Sequence, residues 1–185
     1  KNITLKVVEH LIEKETFTKH VVYKIKGFDN NGDVEILRRY DHFNTLRNVL
    51  VERWPAVYIP PLPGKKLVGN MEPAFIEERR HYLEVFLSSI IGLPHLYQSE
   101  EFQTFLRSKS PDVSAALTNL PKQTYHDIIE KYVKVYHYLS GVELNNDAIM
   151  MITNFQLYLA KISKMFGNFK KIAKTMVNAK KNYYD

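Results

Sequence analysis

The distribution of apolar residues predicts an α+β fold: a three-stranded antiparallel sheet packed on a helical subdomain, then an all-helical C-terminal extension. Three observations carry this reading. Apolar residues alternate in twos as far as Leu37, the signature of half-buried strands. From Phe43 the spacing changes to threes and fours, the period of a helix with one buried face. Past Ser110-Pro111 the pattern is helical throughout, and arginine does not recur after Arg107.

Ile3, Leu5 and Val7 open the first strand, and Phe17, Val21, Tyr23 and Ile25 mark the second. Asp29-Asn30-Asn31-Gly32-Asp33 predicts a turn, with Asn-Gly supplying the positive-φ positions of a tight hairpin. Val34-Glu35-Ile36-Leu37 resumes the strand and completes a meander. Phe43, Leu46, Val49 and Leu50 then predict a helix that stops before Pro55. Residues 55–73 hold five of the eight prolines and predict a long irregular connection. Phe75, Arg79, Tyr82, Leu83, Phe86, Leu87 and Ile90 mark an amphipathic helix closed near Gly92 and Pro94. Ser99 is placed to cap a short helix carrying Phe102, Phe105 and Leu106. The first domain is accordingly expected at residues 1–108, with Phe43 and Trp54 in its core, and the helical extension at 109–185. The extension begins with a helix at about 122–139 ending by Gly141, and Asn145-Asn146-Asp147 caps a longer one. In that helix Ile152, Phe155, Leu159, Ile162, Phe166, Phe169, Ala173 and Met176 form a heptad seam.

Composition narrows the partners. A chain of 185 residues with 45% hydrophobic content has enough apolar surface for a packed core. Its formal charge of +6 and pI near 9.3 favour an anionic partner. The absence of cysteine rules out a disulfide scaffold and fits a reducing compartment. The longest run free of Lys, Arg, Asp and Glu, Val85 to Ser99, is too short to span a bilayer. The chain starts at Lys1 rather than Met, as expected of a piece of something longer.

Three basic stations stand close together in the chain: Arg38-Arg39-Tyr40-Asp41-His42-Phe43, Pro60-Pro61-Leu62-Pro63-Gly64-Lys65-Lys66, and Glu78-Arg79-Arg80. A guanidinium is a planar, permanently charged fork matched to phosphate oxygens, and a neighbouring ring is a floor for a sugar-like ring. Convergence on one phosphorylated ligand is the expectation. The Pro-x-x-Pro at Pro60–Pro63 also has the form of an SH3 ligand, but a rigid loop that positions Lys65 is the preferred reading. Gly64-Lys65-Lys66 lacks the upstream glycine and the Ser/Thr of a nucleotide-binding loop. No histidine pair has metal-ligand spacing, no Gly-x-Ser-x-Gly occurs, and neither a metal, a cofactor nor catalysis is expected.

These motifs, in this order, resemble a phox-homology (PX) domain over residues 3–108: a meander ending in Arg-Arg-Tyr-x-x-Phe, a helix, a Pro-Pro-x-Pro turn with lysine, then Phe-Ile-Glu-Glu-Arg opening a helix. Ile59–Lys66 and Asn70–Leu87 look most like the sorting-nexin branch. Residues 111–185 resemble the start of a BAR-like helical region, and the chain is expected to stop within its first long helix. The resemblance implies binding of phosphoinositides, most often phosphatidylinositol 3-phosphate. It places Arg39 on the 3-phosphate, Tyr40 beneath the inositol ring, Lys65 near the 1-phosphate and Arg79 on the 4- and 5-hydroxyls. Arg38, Lys66 and Arg80 are accessory candidates, and Leu67 and Val68 occupy the place of the membrane-inserting loop. The loop between Lys66 and Phe75 is shorter than in many relatives.

The expected role is that of a non-enzymatic module, peripheral on the cytosolic face of endosomal membranes, for protein sorting. Its C-terminal helices are expected to form a homo- or heterodimer. A scaffold that acts through the heptad helix without reading lipid is the alternative. Nucleic acid is not an expected partner, because no recognition motif accompanies the charge.

Overall fold

The computed structural model describes residues 3–14, 19–65, 71–110, 112–137 and 145–184, with side chains through Lys180. Strands β1 (Thr4–Lys14), β2 (Lys19–Asp29) and β3 (Gly32–Arg39) form an antiparallel sheet in the order β1-β2-β3. Leu5, Val7, Tyr23, Ile25 and Val34 are buried on its inner face. The meander and its period are as the alternation predicts.

The hairpin turn differs in detail from the expectation. Asp29 pairs with Gly32, so the two central residues are Asn30 and Asn31, and the positive φ falls on Gly32 alone at +109°. Asp29 Oδ1 accepts the Asn31 N–H at 2.8 Å and closes the turn from the side chain. A second glycine is dictated by a close approach. A Cβ on Gly27 would lie 1.9 Å from the Thr4 carbonyl oxygen on the neighbouring strand.

The β1–β2 pairing slips at Val7/Glu9, a bulge that interrupts the ladder. There Val7 donates its N–H to Glu84 (3.0 Å), and its carbonyl accepts from Arg80 (2.6 Å). Both partners lie on α2 (Pro73–Ile91), so the helix covers the edge that the bulge opens. Ahead of it stands α1 (Tyr40–Arg53), which follows β3 directly.

Phe43 fills the junction of sheet and helices. It meets Phe105 edge-on with centroids 4.9 Å apart and Phe86 at 6.4 Å. Trp54, also buried, joins the same core, as expected of both rings. Two short helices, α3 (Pro94–Tyr97) and α4 (Glu100–Arg107), follow α2, and Ser99 caps α4 by accepting from the Phe102 N–H at 3.2 Å.

The packed unit runs on to Val135, past the boundary expected at residue 108. Helix α5 (Val113–Thr118) buries Val113 and Leu117 in the same core. From α6 (Tyr125–Val135), Tyr132 stacks on Trp54, and Lys131 lies 4.0 Å over the indole. Four- and six-residue helices such as α3 and α5 are too short to leave a period in the sequence.

The second unit, Tyr136–Asp185, contains α7 (Asn146–Tyr184), 39 residues long. Asn145 caps it by accepting the Ala148 N–H at 2.8 Å. Phe155, Phe166, Phe169 and Met176 of the seam are all exposed. No helix among the described residues is long and apolar enough to cross a membrane.

Candidate headgroup site

Strand register builds the site. Val22 pairs with Arg39 at the end of β3, whereas β1 and β2 continue pairing out to Lys14 and Lys19. The β1–β2 arm therefore overhangs the end of β3, and Lys19, His20 and Val21 stand beside the start of α1. A cavity of about 100 Å³ lies there, lined by these three and by Tyr23, Arg39, Tyr40, Asp41, Lys65, Met71 and Arg79. Arg39, Tyr40, Lys65 and Arg79, the four residues expected around the headgroup, all meet in it.

Each is positioned by a separate contact. Arg39 is the N-cap residue of α1, extended at φ −79° and ψ 158°, and its guanidinium stands 3.9 Å from Glu13. Tyr40 donates its hydroxyl proton to the Pro63 carbonyl. Arg79 is buried, its guanidinium carbon 4.0 Å over the Tyr40 ring and 4.4 Å over the Phe75 ring. It also donates to the Gly64 carbonyl at 3.2 Å. With Arg47 donating to the Pro60 carbonyl at 3.0 Å, the proline segment is held along α1 and α2, as expected of a loop that positions Lys65. Lys65 pairs with Asp41 at 3.0 Å, and both are largely exposed. Tyr23 adds a dry wall: burial, partly offset by the Arg79 charge, pushes its hydroxyl up to about 12.

Two accessory candidates lie elsewhere. Arg38 points to the inner side of β3, because Val34, Ile36 and Arg38 share one face while Arg39 takes the other. It donates from Nε (2.8 Å) and Nη2 (2.6 Å) to the Phe105 carbonyl and from Nη2 (3.3 Å) to that of Ser108. These carbonyls sit at the end of α4, where a helix has no partners of its own for them, so Arg38 is a C-terminal cap. Burial lowers its pKa to about 10, which leaves it charged at neutral pH. Arg80 is held by Glu77 (2.9 Å) and the Val7 carbonyl at the bulge. Lys66, Leu67 and Val68 lie outside the described residues.

The sequence reading missed Lys19, His20 and Met71. Lys19 and His20 enter through the register of the overhanging arm, which no local motif encodes, and Met71 stands in the turn just ahead of α2. A larger cavity of about 490 Å³ lies between Trp54, His95 and Lys131. Its Arg53 is already paired with Glu100 and Glu101 and bound to the Pro121 carbonyl, and Lys131 donates to the Arg53 carbonyl and Gln123. It is the less suited of the two to an anion. Among the described residues no group of three His, Asp or Glu is placed to hold a metal ion.

The family model for the PX domain matches residues 27–109. An X-ray structure of a designed CISK-PX domain superposes with a TM-score of 0.52 at 30% identity, over 57% of this chain and 99% of that one. The chain therefore belongs to the PX domain family. Sorting nexin-7 of Mus musculus is 29% identical over 188 residues, covering 95% of this chain and 46% of the relative. Serine/threonine-protein kinase Sgk3 of Rattus norvegicus is 34% identical over 104 residues, covering 56% of this chain but 20% of the kinase. Similarity to sorting nexins thus continues through the C-terminal helices, and similarity to the kinase stops with the PX domain. The chain spans about half the length, or less, of the curated relatives it matches.

Proposed function

We propose that this chain recognises phosphatidylinositol 3-phosphate and brings a sorting nexin to endosomal membranes. The observation that carries the reading is the convergence of Arg39, Tyr40, Lys65 and Arg79, from three segments of chain, on one small cavity. Arg39 holds the 3-phosphate, Tyr40 lies under the inositol ring, Lys65 reaches the 1-phosphate and Arg79 the ring hydroxyls. Each charge-assisted hydrogen bond contributes roughly 1.5–3 kcal/mol. Two or three such bonds give a weak headgroup complex, so membrane residence needs a second signal. Leu67 and Val68 would supply it by interfacial burial, with Lys66 adding attraction to an anionic surface.

Vesicle cosedimentation tests the site. Arg39→Ala is expected to weaken binding to vesicles containing phosphatidylinositol 3-phosphate by roughly tenfold to a hundredfold, the loss of one such bond. Equal binding by the two proteins would reject the assignment.

The exposed seam of α7 supports a second element of the proposal. It pairs with a like helix, as in a BAR-like assembly, so that two headgroup sites act together and gain by avoiding independent dissociation. Phe166→Asp would put a charge in that seam and is expected to convert a dimer to a monomer in sedimentation equilibrium. A monomeric wild type would sink the homodimer and leave a heterologous partner for this helix.

A further inference from the structure

The backbone N–H of Arg39 donates to His42 Nδ1 at 3.2 Å, from the N-cap to the third residue of α1. Helices often satisfy this orphan donor with a Glu or Gln at that position, whose side chain reaches back to the N-cap. Here an imidazole has the task, and only its neutral form can accept. Protonation turns the acceptor into a second donor facing an N–H. The bond ties the backbone of the residue proposed to hold the 3-phosphate to the first turn of α1. Asp41 follows in the same turn and Tyr40 between them, so the contact fixes the turn that carries three lining residues of the cavity.

We infer that His42 is a positioning residue for the headgroup site, and that its protonation releases Arg39 and weakens headgroup binding as pH falls. The inference rests on the proposed function above. The groups that face His42 are Arg38 and Arg39 from β3, Asp41 from α1 and Asp112 at the start of α5. Burial first, then the two arginines, hold the imidazole below its ordinary pKa, and the two aspartates only partly oppose them. At neutral pH the ring is therefore the acceptor that the geometry requires. The sign follows: with a folded pKa below the unfolded one, the bond is intact above the ordinary histidine value and is lost as pH falls through the depressed one.

The test compares wild type, His42→Gln and His42→Ala on vesicles with and without phosphatidylinositol 3-phosphate, from neutral to mildly acidic pH. Glutamine keeps a neutral acceptor at the capping position, and the phosphate's own second ionisation affects every protein equally. Wild type is expected to lose roughly threefold or more affinity relative to His42→Gln on acidification, the scale of a lost cap. His42→Ala is expected to bind weakly at both ends of the range, with a profile parallel to that of glutamine. Parallel profiles for wild type and His42→Gln would overturn the inference. Absence of lipid-dependent binding by wild type at neutral pH would instead overturn the proposed function. Should the variants fail to fold, the wild-type Arg39 amide resonance decides: it must shift with the titration of the His42 ring, and an invariant resonance overturns the coupling.

Discussion

Arg38→Ala is expected to destabilise the first unit by roughly 3 kcal/mol and to lower its melting temperature by about 10 °C. The lost interactions are specific. Both Nε and Nη2 bond the Phe105 carbonyl, and Nη2 also reaches Ser108. Truncation leaves these carbonyls at the end of α4 without their donor, in a place where Arg38 itself is only 6% exposed. A buried acceptor stripped of its partner costs about 1–3 kcal/mol, more where the donor was charged. The helix also loses the cation that its C-terminal dipole favours. Partial relief comes from no longer burying a guanidinium, which limits the loss. Arg38→Lys restores the charge but not the planar fork, and should recover only part of the loss.

The neighbouring substitution behaves in the opposite way. Arg39 lies on the outer side of the strand end and lines the cavity, so Arg39→Ala should melt close to wild type while losing lipid. Thermal melts and vesicle binding on the two variants therefore cross. If Arg38→Ala lost lipid binding with an unchanged melt, Arg38 would belong to the site after all.

That adjacent pair illustrates what the sequence made legible. The alternation from Val34 through Ile36 already sends position 38 to the inner face and position 39 to the outer one. What it cannot reveal is the acceptor, because α4 lies 67 residues further along the chain. Arg80 is a similar case: its partner is a carbonyl exposed by a bulge at Val7, and bulges leave no periodic mark. The sheet, α1, α2, α4 and α7 were legible because each is long enough, or capped clearly enough, to display its period. The four lining residues were legible because motif order placed them together. Lys19 and His20 were not, since they enter through the overhang of one hairpin over the next strand.

Arg79→Ala is expected to combine both kinds of loss: roughly 2 kcal/mol of stability and at least about tenfold weaker binding to phosphatidylinositol 3-phosphate vesicles. The guanidinium lies within stacking range of Tyr40 and Phe75 and tethers the Gly64 carbonyl. Two cation–π contacts at a desolvated site are each worth about 1–2 kcal/mol, and a hydrogen bond adds about 1 kcal/mol; collapse around the truncated side chain offsets part of that sum. The binding loss then has two sources. The ring hydroxyls lose a donor, and the proline segment loses the tether one residue before Lys65, so a second cation moves away from the phosphate. Arg79→Lys separates them. Lysine retains a charge and can stack through its ammonium, yet it cannot present a planar face to both rings while bonding Gly64. It should keep most of the stability and recover little of the affinity, measured by thermal melts and vesicle titration on the same samples. Full recovery of binding by lysine would mean that charge alone suffices at this position, and the assignment of Arg79 to oriented contacts with the ring hydroxyls would fall.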